Sequence, residues 1–476
     1  MTDRSNDAGI RLDALPGGRV VGDATVRVTG IAHDSRAVRA GDLFACVRGD
    51  HHDGHDFAAL AVEQGAVALV VEHVLDVSMP QLVVDDVRLA IGPVAAAVHG
   101  HPSTAMRVVG ITGTNGKTTT AHLLAAILEA SGTPTGVLGT LSGGHTTPEA
   151  PELQARLRAS RDAGDGAVVM EVSSHALAMH RVDGTRFAAA VFTNLGTDHL
   201  DLHGTAEEYF RAKARLFSPA LADIGVTNVD DAHGRLLFDA APIDMVAYAL
   251  DDATDIEVTA TRHRFSWRGR TVSVGIGGGF NVNNSIAAAT TAATLGIDLD
   301  AIVDGLATAS PVPGRFEIVE SDDGRDGGIT VVVDYAHTPD GLANVIAAGR
   351  EVADSGGKVI VVFGCGGDRD RSKRPQMGAT AAELADAVVV TSDNPRSEAP
   401  MAIIDAVLAG IGPDDRRRVV VEPDRATAID LAVERAGRGD VIIVAGKGHE
   451  RTQTIGDRVV DFDDRDHALA ALRRRT

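Results

Sequence analysis

From residue 107 onward the chain repeats one plan: a short apolar run rich in Val, Ile and Ala, a glycine or polar cluster, then a helical pattern. The runs are Arg107–Thr112, Ala167–Glu171, 189–193, Ile224–Asn228, 329–334, Val359–Phe363, 387–391 and Val441–Ala445. Several are apolar throughout, as strands buried on both faces of a parallel sheet must be. Helical patterns at 118–131 and 377–384 lie between them. Such alternation predicts a doubly wound α/β architecture, in which ligands gather beyond the carboxyl ends of the strands.

Two boundaries suggest themselves. His101-Pro102-Ser103 precedes the first parallel-type strand, and Pro311-Val312-Pro313-Gly314 precedes a further strand expected at 315–319. With 476 residues, about three domains are expected. They are placed at 1–102, 103–312 and 313–476: a smaller N-terminal α/β domain, a central domain with a helix-flanked, mostly parallel sheet, and a Rossmann-like C-terminal α/β domain. Aromatics make up only 3% of the chain, so the core must be aliphatic.

The formal net charge is −21, which repels a nucleic-acid backbone, so no nucleic-acid partner is expected. Cys46 and Cys365 lie far apart and form neither a disulfide framework nor a zinc set. No apolar run is long enough to span a membrane, and the polar start of the chain is unlike a signal peptide. These features predict a cytoplasmic protein.

The chemistry enters at residues 107–120, RVVGITGTNGKTTT, followed by an apolar-periodic stretch ending at Gly132. Strand, glycine turn and Lys-Thr at a helix start make a phosphate cradle of backbone N–H groups. Lys117 would reach the terminal phosphates and Thr118 would offer a hydroxyl to magnesium. Gly113 lies three residues before Gly116, closer than in the usual spacing of such loops.

TGTNGKTTT resembles the ATP loop of the Mur ligases, which extend the peptide of bacterial cell-wall precursors. The resemblance continues almost end to end. GIAHDSRAVRAGDLFACVRG (30–49) and HHDGHDF (51–57) are similar to the uridine-nucleotide-binding region of the members that add the third residue. TTPEAPEL (146–153), EVSSHAL (171–177), TNLGTDHLDLHGT (193–205) and YFRAKARLF (209–217) follow. After them come NVNN (281–284), PGRFE (313–317), DYAHTPDGL (334–342), GCGGDRDRSKRP (364–375), DNPR (393–396) and AGKGHE (445–450).

The resemblance implies an ATP-dependent ligase acting through an acyl phosphate, which an amino-acid amine then attacks. Such a step brings two anions together, so positioning and neutralising charge must supply most of the catalysis. The implied ATP contacts are Gly113, Thr114, Asn115, Gly116, Lys117, Thr118, Thr119, Asn281, Asn283, Arg315, Asp334 and His337. Magnesium, the implied cofactor beside ATP, would be held by Thr118, Glu171, His199 and a carbamylated Lys213. Lys117, Glu171, His199, Lys213 and Arg315 form the implied catalytic set. Carbamylation makes sense there because a bare ammonium beside a metal ion would repel it. His199 and His203 are four apart, as zinc ligands on a helix can be, but the sequence lacks HExxH, and zinc is rejected.

The substrates implied are UDP-MurNAc-L-Ala-D-Glu and meso-diaminopimelate, with the chain acting as a monomer in peptidoglycan synthesis. Ser35, Thr146, Thr147, Ser173 and Arg181 match nucleotide-peptide contacts. Arg369, Asp393, Asn394, Pro395, Arg396, Gly446 and Glu450 match amino-acid contacts. The remote carboxylate of diaminopimelate suits the fork of Arg396 or Arg369, and its remote ammonium suits Glu450. Rivals are a ligase of the same kind adding lysine or another diamino acid, a folylpolyglutamate-synthase-like or cyanophycin-synthetase-like ligase, a phosphate-loop switch, and an inactive ligase-like scaffold. Mechanism also implies closure of the C-terminal domain on the central one, with Pro311–Gly314 as hinge.

Overall fold

A computed structural model of the chain describes residues 9–49, 52–320 and 328–475. The first eight residues, and His51 of the HHDGHDF motif, lie outside the described residues.

The central unit is built on six parallel strands in the order Asp244–Tyr248, Ile224–Asn228, Ala189–Phe192, Arg107–Thr112, Ala167–Glu171, Thr135–Leu138. Val109, Ile111 and Val169 pack on one face beneath the helices Lys117–Ala130 and Phe280–Thr294. Val108, Val168 and Met170 pack on the other. Burial on both faces explains the unbroken apolar runs.

A second six-stranded sheet carries the C-terminal unit. Its order is Glu317–Val319, Thr330–Asp334, Val441–Ala445, Val359–Phe363, Ala387–Val390, Val419–Val421, parallel except for the first pair. In the N-terminal unit, five strands run Gly18–Val21, Gln81–Val84, Ala68–Val71, Asp42–Ala45, Gly30–Ala32, with the first pair antiparallel. Among the described residues no helix is long and apolar enough to cross a membrane.

Two expectations are corrected, and one element is new. The strand expected at 315–319 begins only at Glu317. Arg315 and Phe316 instead form a turn, with Phe316 at φ 47° and its N–H donating to Asp334 Oδ2 at 2.7 Å. That turn frees the Arg315 side chain from the sheet. The helix expected at 377–384 begins at Lys373, because Pro375 falls in its first turn, where a missing N–H costs nothing. An antiparallel three-stranded sheet, Ala253–Val258, His263–Trp267 and Arg270–Val274, was not expected. Its signal is alternation: His263, Phe265 and Trp267 are buried, with Arg264 exposed between them.

Arg425 and Asp464 form an ion pair with both side chains fully buried, at 2.7 Å. The same guanidinium donates to the carbonyls of Ser392 and Ala445, fixing two strand ends beneath the cleft. Breaking such a pair from one side typically costs about 3–5 kcal/mol.

Candidate active site

The carboxyl ends of the central and C-terminal sheets face one cavity of about 1060 Å³. Its floor is the turn after Arg107–Thr112. A Cβ on Gly113 would stand 1.9 Å from Thr193 Oγ1, and one on Gly116 2.4 Å from Asn284 Oδ1, so this close approach excludes side chains. The turn is held from behind. Thr193 Oγ1 donates to the Asn115 carbonyl at 2.6 Å, and Asn194 Oδ1 accepts from the Asn115 N–H at 2.9 Å. The Thr114 hydroxyl meets Tyr209 OH at 3.1 Å.

Lys117 Nζ folds over the turn, donating to the carbonyls of Gly113 and Thr114, each at 2.9 Å. Burial lowers its pKa, with Glu171 opposing the shift. The Thr118 hydroxyl donates to Glu171 Oε2 at 3.0 Å and accepts from Arg315 Nη2 at 3.0 Å. Glu171 closes the strand Ala167–Glu171, and its Oε1 accepts from the Thr140 N–H at 2.8 Å. Thus Lys117, Thr118, Glu171 and Arg315 meet at the phosphate turn, and Thr140 joins them.

Lys213 is buried on the helix Ala206–Ala214 and sits behind the phosphate loop rather than in the cavity wall. Its Nζ donates to the Gly113 carbonyl at 2.8 Å and lies 4.3 Å from the Tyr209 ring centre. Burial first, then the charge of Lys117, pushes its pKa well down. Next to it in the cleft is an unforeseen hub. Asp198 lies 3.4 Å from Lys373 Nζ, 3.5 Å from His337 Nε2 and 3.3 Å from His199 Nε2. Although burial opposes it, these partners hold the Asp198 carboxyl below its ordinary range. Desolvation, with the nearby charges of His337, Lys117 and Lys213, acts to lower the His199 imidazole against Asp198, although its side chain is about half exposed. His203 does not join this hub; its Nε2 contacts the Ser174 hydroxyl at 3.0 Å.

Of the NVNN asparagines, the expectation for Asn281 is not met. It is fully buried, its Nδ2 donating to the Gly277 carbonyl at 2.7 Å and its Oδ1 accepting from Asn284 at 2.8 Å. It braces the start of the helix Phe280–Thr294, while Asn283 and Asn284 line the cavity. Asn283 Oδ1 is buried without a hydrogen-bond partner among the described residues. Asp334 accepts from the N–H groups of Phe316 and Ala336, each at 2.7 Å, and so shapes the turn that presents Arg315. Burial raises the Asp334 pKa against the pull of Arg315. The Arg315 guanidinium lies 4.3 Å from the Tyr335 ring centre.

Thr146, Thr147, Ser173 and Arg181 share one side of the cavity. Thr147 Oγ1 accepts from the Ser173 N–H at 3.0 Å and donates to the Glu171 carbonyl at 2.9 Å. Ser35 does not join them. It lies on the short helix Ser35–Ala37 of the N-terminal unit, outside the cavity wall.

Arg369, Asp393, Asn394, Arg396, Gly446 and Glu450 line the opposite side; Pro395 does not. Arg396, at φ 52°, donates from Nη1 to the Gly367 carbonyl at 2.7 Å. Burial raises the Asp393 pKa. Burial also acts to raise that of Glu450, but Lys447 and Asn394 outweigh it and the shift is downward. Glu450 Oε2 accepts from Lys447 Nζ at 3.0 Å and from Asn394 Nδ2 at 2.7 Å. Lys447, between the glycines of AGKGHE, is fully buried, which a lysine flanked by two glycines does not announce in sequence.

The chain matches three family models over successive stretches: Mur ligase family, catalytic domain, over 27–112; Mur ligase middle domain over 111–292; and Mur ligase, glutamate ligase domain, over 314–448. It is 45% identical to the UDP-N-acetylmuramoyl-L-alanyl-D-glutamate–2,6-diaminopimelate ligase of Geobacter sulfurreducens, covering 95% of this chain and 96% of that one. It is 44% identical to the ligase of the same name from Streptomyces avermitilis, over 94% and 93%. A solved structure with that ligase name superposes with a TM-score of 0.67 at 32% identity, covering 98% and 99%. A Mur ligase from Thermotoga maritima, solved in complex with ADP, shares the fold at 20% identity and a TM-score of 0.65, covering 94% and 98%. With its sheets, its glycine turn and its sequence all agreeing along nearly the whole length, the chain belongs to the Mur ligase family.

Proposed function

We propose that the chain is the ATP-dependent ligase that joins meso-diaminopimelate to the D-glutamate carboxylate of UDP-MurNAc-L-Ala-D-Glu, in the cytoplasmic synthesis of peptidoglycan precursors. One observation carries the reading: the phosphate turn with Lys117 and Thr118, the arginine Arg315, and the Arg396–Glu450 wall all open into a single cavity. In this reading residues 1–102 hold the uridine nucleotide, 103–312 hold ATP, and 313–476 hold the amino acid.

The donor chemistry fits magnesium. The Thr118 hydroxyl and Glu171 carboxylate are hard oxygens 3.0 Å apart, and the half-exposed imidazole of His199 lines the same cavity. Among the described residues no three His, Cys, Asp or Glu side chains close on a common point. That suits an ion held by one or two side chains and completed by phosphate and water. When bound, magnesium supplies positive charge to the phosphate and carboxylate oxygens.

The chain's own residues do the rest. Backbone N–H groups of 113–118 cradle the β- and γ-phosphates, and Lys117 leaves its loop carbonyls to neutralise them. Asn283 offers its unpartnered oxygen to the adenine amino group. Asp334 and His337 face the ribose. Arg315 follows the γ-phosphoryl as it moves to the D-glutamate carboxylate, which becomes an acyl phosphate. Thr146, Thr147, Ser173 and Arg181 hold that substrate in place, with Ser35 on its uridine end. Arg396 and Arg369 grip the remote carboxylate of diaminopimelate, and Glu450, Asp393 and Asn394 face its remote ammonium. The amine then attacks the acyl carbon, phosphate leaves, and the amide forms. Lys213, which burial pushes toward its neutral amine, can add CO₂ to give a carbamate with loss of one proton, so that an anionic oxygen group would stand where the amine was.

The test is a purified-enzyme assay with ATP, magnesium, the nucleotide dipeptide and diaminopimelate. Expected are ADP, phosphate and a nucleotide tripeptide identified by mass, each requiring both acceptor and amine. Absence of all three from a folded enzyme overturns the reading.

A further inference from the structure

The N-terminal unit is seated closely on the central one. Ala150, first residue of the helix Ala150–Ala163, belongs to the N-terminal core, packed with Val87, Ile91 and Val94. At Gly92 a Cβ would stand 2.2 Å from the Asp183 carbonyl oxygen, so two backbones touch there.

One carboxylate spans this joint. Glu149 immediately precedes the helix Ala150–Ala163. Its Oε2 accepts from Nη1 of Arg88, in the first turn of the N-terminal helix Val87–Val98, at 3.0 Å. Its Oε1 lies 2.8 Å from Nε of Arg181, a charge contact without an aligned hydrogen bond. Arg181 in turn donates from Nη1 to the Thr147 carbonyl at 3.2 Å and lines the cavity. The side chains of Arg88, Glu149 and Arg181 are 21%, 17% and 10% exposed, so their charges are poorly screened. Two guanidinium groups share one carboxylate, leaving one surplus positive charge aimed from the joint into the cleft. His33 lies close enough to feel all three, and burial pushes its imidazole toward the neutral form.

We propose that Glu149 is a positioning residue. It fastens the N-terminal unit through Arg88 and fixes Arg181 so that the surplus charge of the trio meets an anionic group of the nucleotide-sugar peptide. This rests on the reading of Arg181 as a contact to that substrate. Removing the carboxylate leaves the two arginines to repel each other, and Arg181 loses its setting. ATP and the amino acid, bound elsewhere in the cavity, do not sense the change.

The full-length enzyme decides this. For Glu149→Gln the KM for the nucleotide dipeptide should rise about tenfold or more, with kcat and the KM values for ATP and diaminopimelate within about threefold of wild type. Glu149→Asp should recover part of the loss. An unchanged KM for the nucleotide dipeptide, or a parallel rise in all three KM values, overturns the inference, because a merely structural role predicts the latter. Should Glu149→Gln fail to fold, Arg88→Gln decides in its place, since it leaves the Glu149–Arg181 contact intact: a selective KM rise supports the trio and any other pattern sinks it. An inactive wild type would refute the proposed function; an active wild type with insensitive variants would refute this inference alone.

Discussion

Arg315 and Thr118, 197 residues apart, are joined by a 3.0 Å hydrogen bond from guanidinium to hydroxyl, so the C-terminal unit already touches the phosphate loop. Arg315 gets there because its strand starts only at Glu317, after a turn pinned by Asp334. A donor placed this way acts where charge moves during phosphoryl transfer, and removing one such donor typically costs about 10²–10³ in rate. Arg315→Ala is therefore expected to lower kcat by about that factor, with the KM for diaminopimelate little changed. Steady-state kinetics with each substrate varied in turn will check it; a normal kcat would contradict the role.

Lys213 presents a different case, because its expected role requires a covalent change. A buried lysine beside Lys117 is driven toward its neutral form, and the neutral amine is the form that reacts with CO₂. Activity should fall in CO₂-depleted buffer and return with bicarbonate. Lys213→Arg keeps a cation but cannot form the carbamate, and should lose at least the roughly 10–100-fold in activity that removing even an outer support of a metal site costs. Intact-mass measurement under mild conditions should show the added CO₂, lost on acidification. Bicarbonate-independent activity with no added mass would rule the carbamate out.

The sequence disclosed the parallel strands well because burial on both faces leaves an unbroken apolar run: Arg107–Thr112, Ala167–Glu171 and Val359–Phe363 have the bounds expected. It disclosed less where the signal is phase or long-range pairing. Asn281, Asn283 and Asn284 are equivalent on paper; which of them faces the cleft depends on how the glycines at 277–279 set the first helical turn, and that turn points Asn281 inward. Asp198 and Lys373 lie 175 residues apart, and no local pattern announces that two sheets will bring them together. The antiparallel sheet around Trp267 carries only an alternating pattern, because one of its faces is exposed, and so lacks the continuous apolar run of the parallel strands.

Arg396 is held above the cavity by its backbone. Its N–H donates to the Thr454 carbonyl at 3.0 Å, its φ is positive, and one guanidinium nitrogen is anchored on Gly367. The rest of the fork is left to take a carboxylate. Truncating one partner of a hydrogen-bonded charge pair in a binding site costs about 2 kcal/mol or more, roughly 30-fold in affinity. Arg396→Ala should raise the KM for diaminopimelate by at least that much while leaving those for ATP and the nucleotide dipeptide nearly constant. Offered together, diaminopimelate and lysine should be separated less sharply by the variant than by the wild type. Unaltered amino-acid kinetics would remove Arg396 from the binding wall.

Among the contacts that tie the loops carrying Arg369 and Arg396 is the carboxylate of Glu398, and that tie titrates. Glu398 accepts from Arg374 at 2.8 and 3.1 Å and from the Asp368 N–H at 2.8 Å, and Arg371 stands 3.2 Å away. The hydrogen bonds from Arg374 come first among the causes that lower its pKa to about 2, from 4.5. A carboxylate with a depressed folded-state pKa contributes stability above its unfolded value and loses it as pH falls through the folded one. The contribution is therefore complete above about 4.5 and lost progressively between there and about 2. Glu398→Gln should lower stability at neutral pH and flatten the decline across that acid window, narrowing the gap to wild type as pH drops. Urea unfolding of both proteins at a series of pH values will measure it; parallel curves with a constant gap would show that the carboxylate charge does not hold these loops.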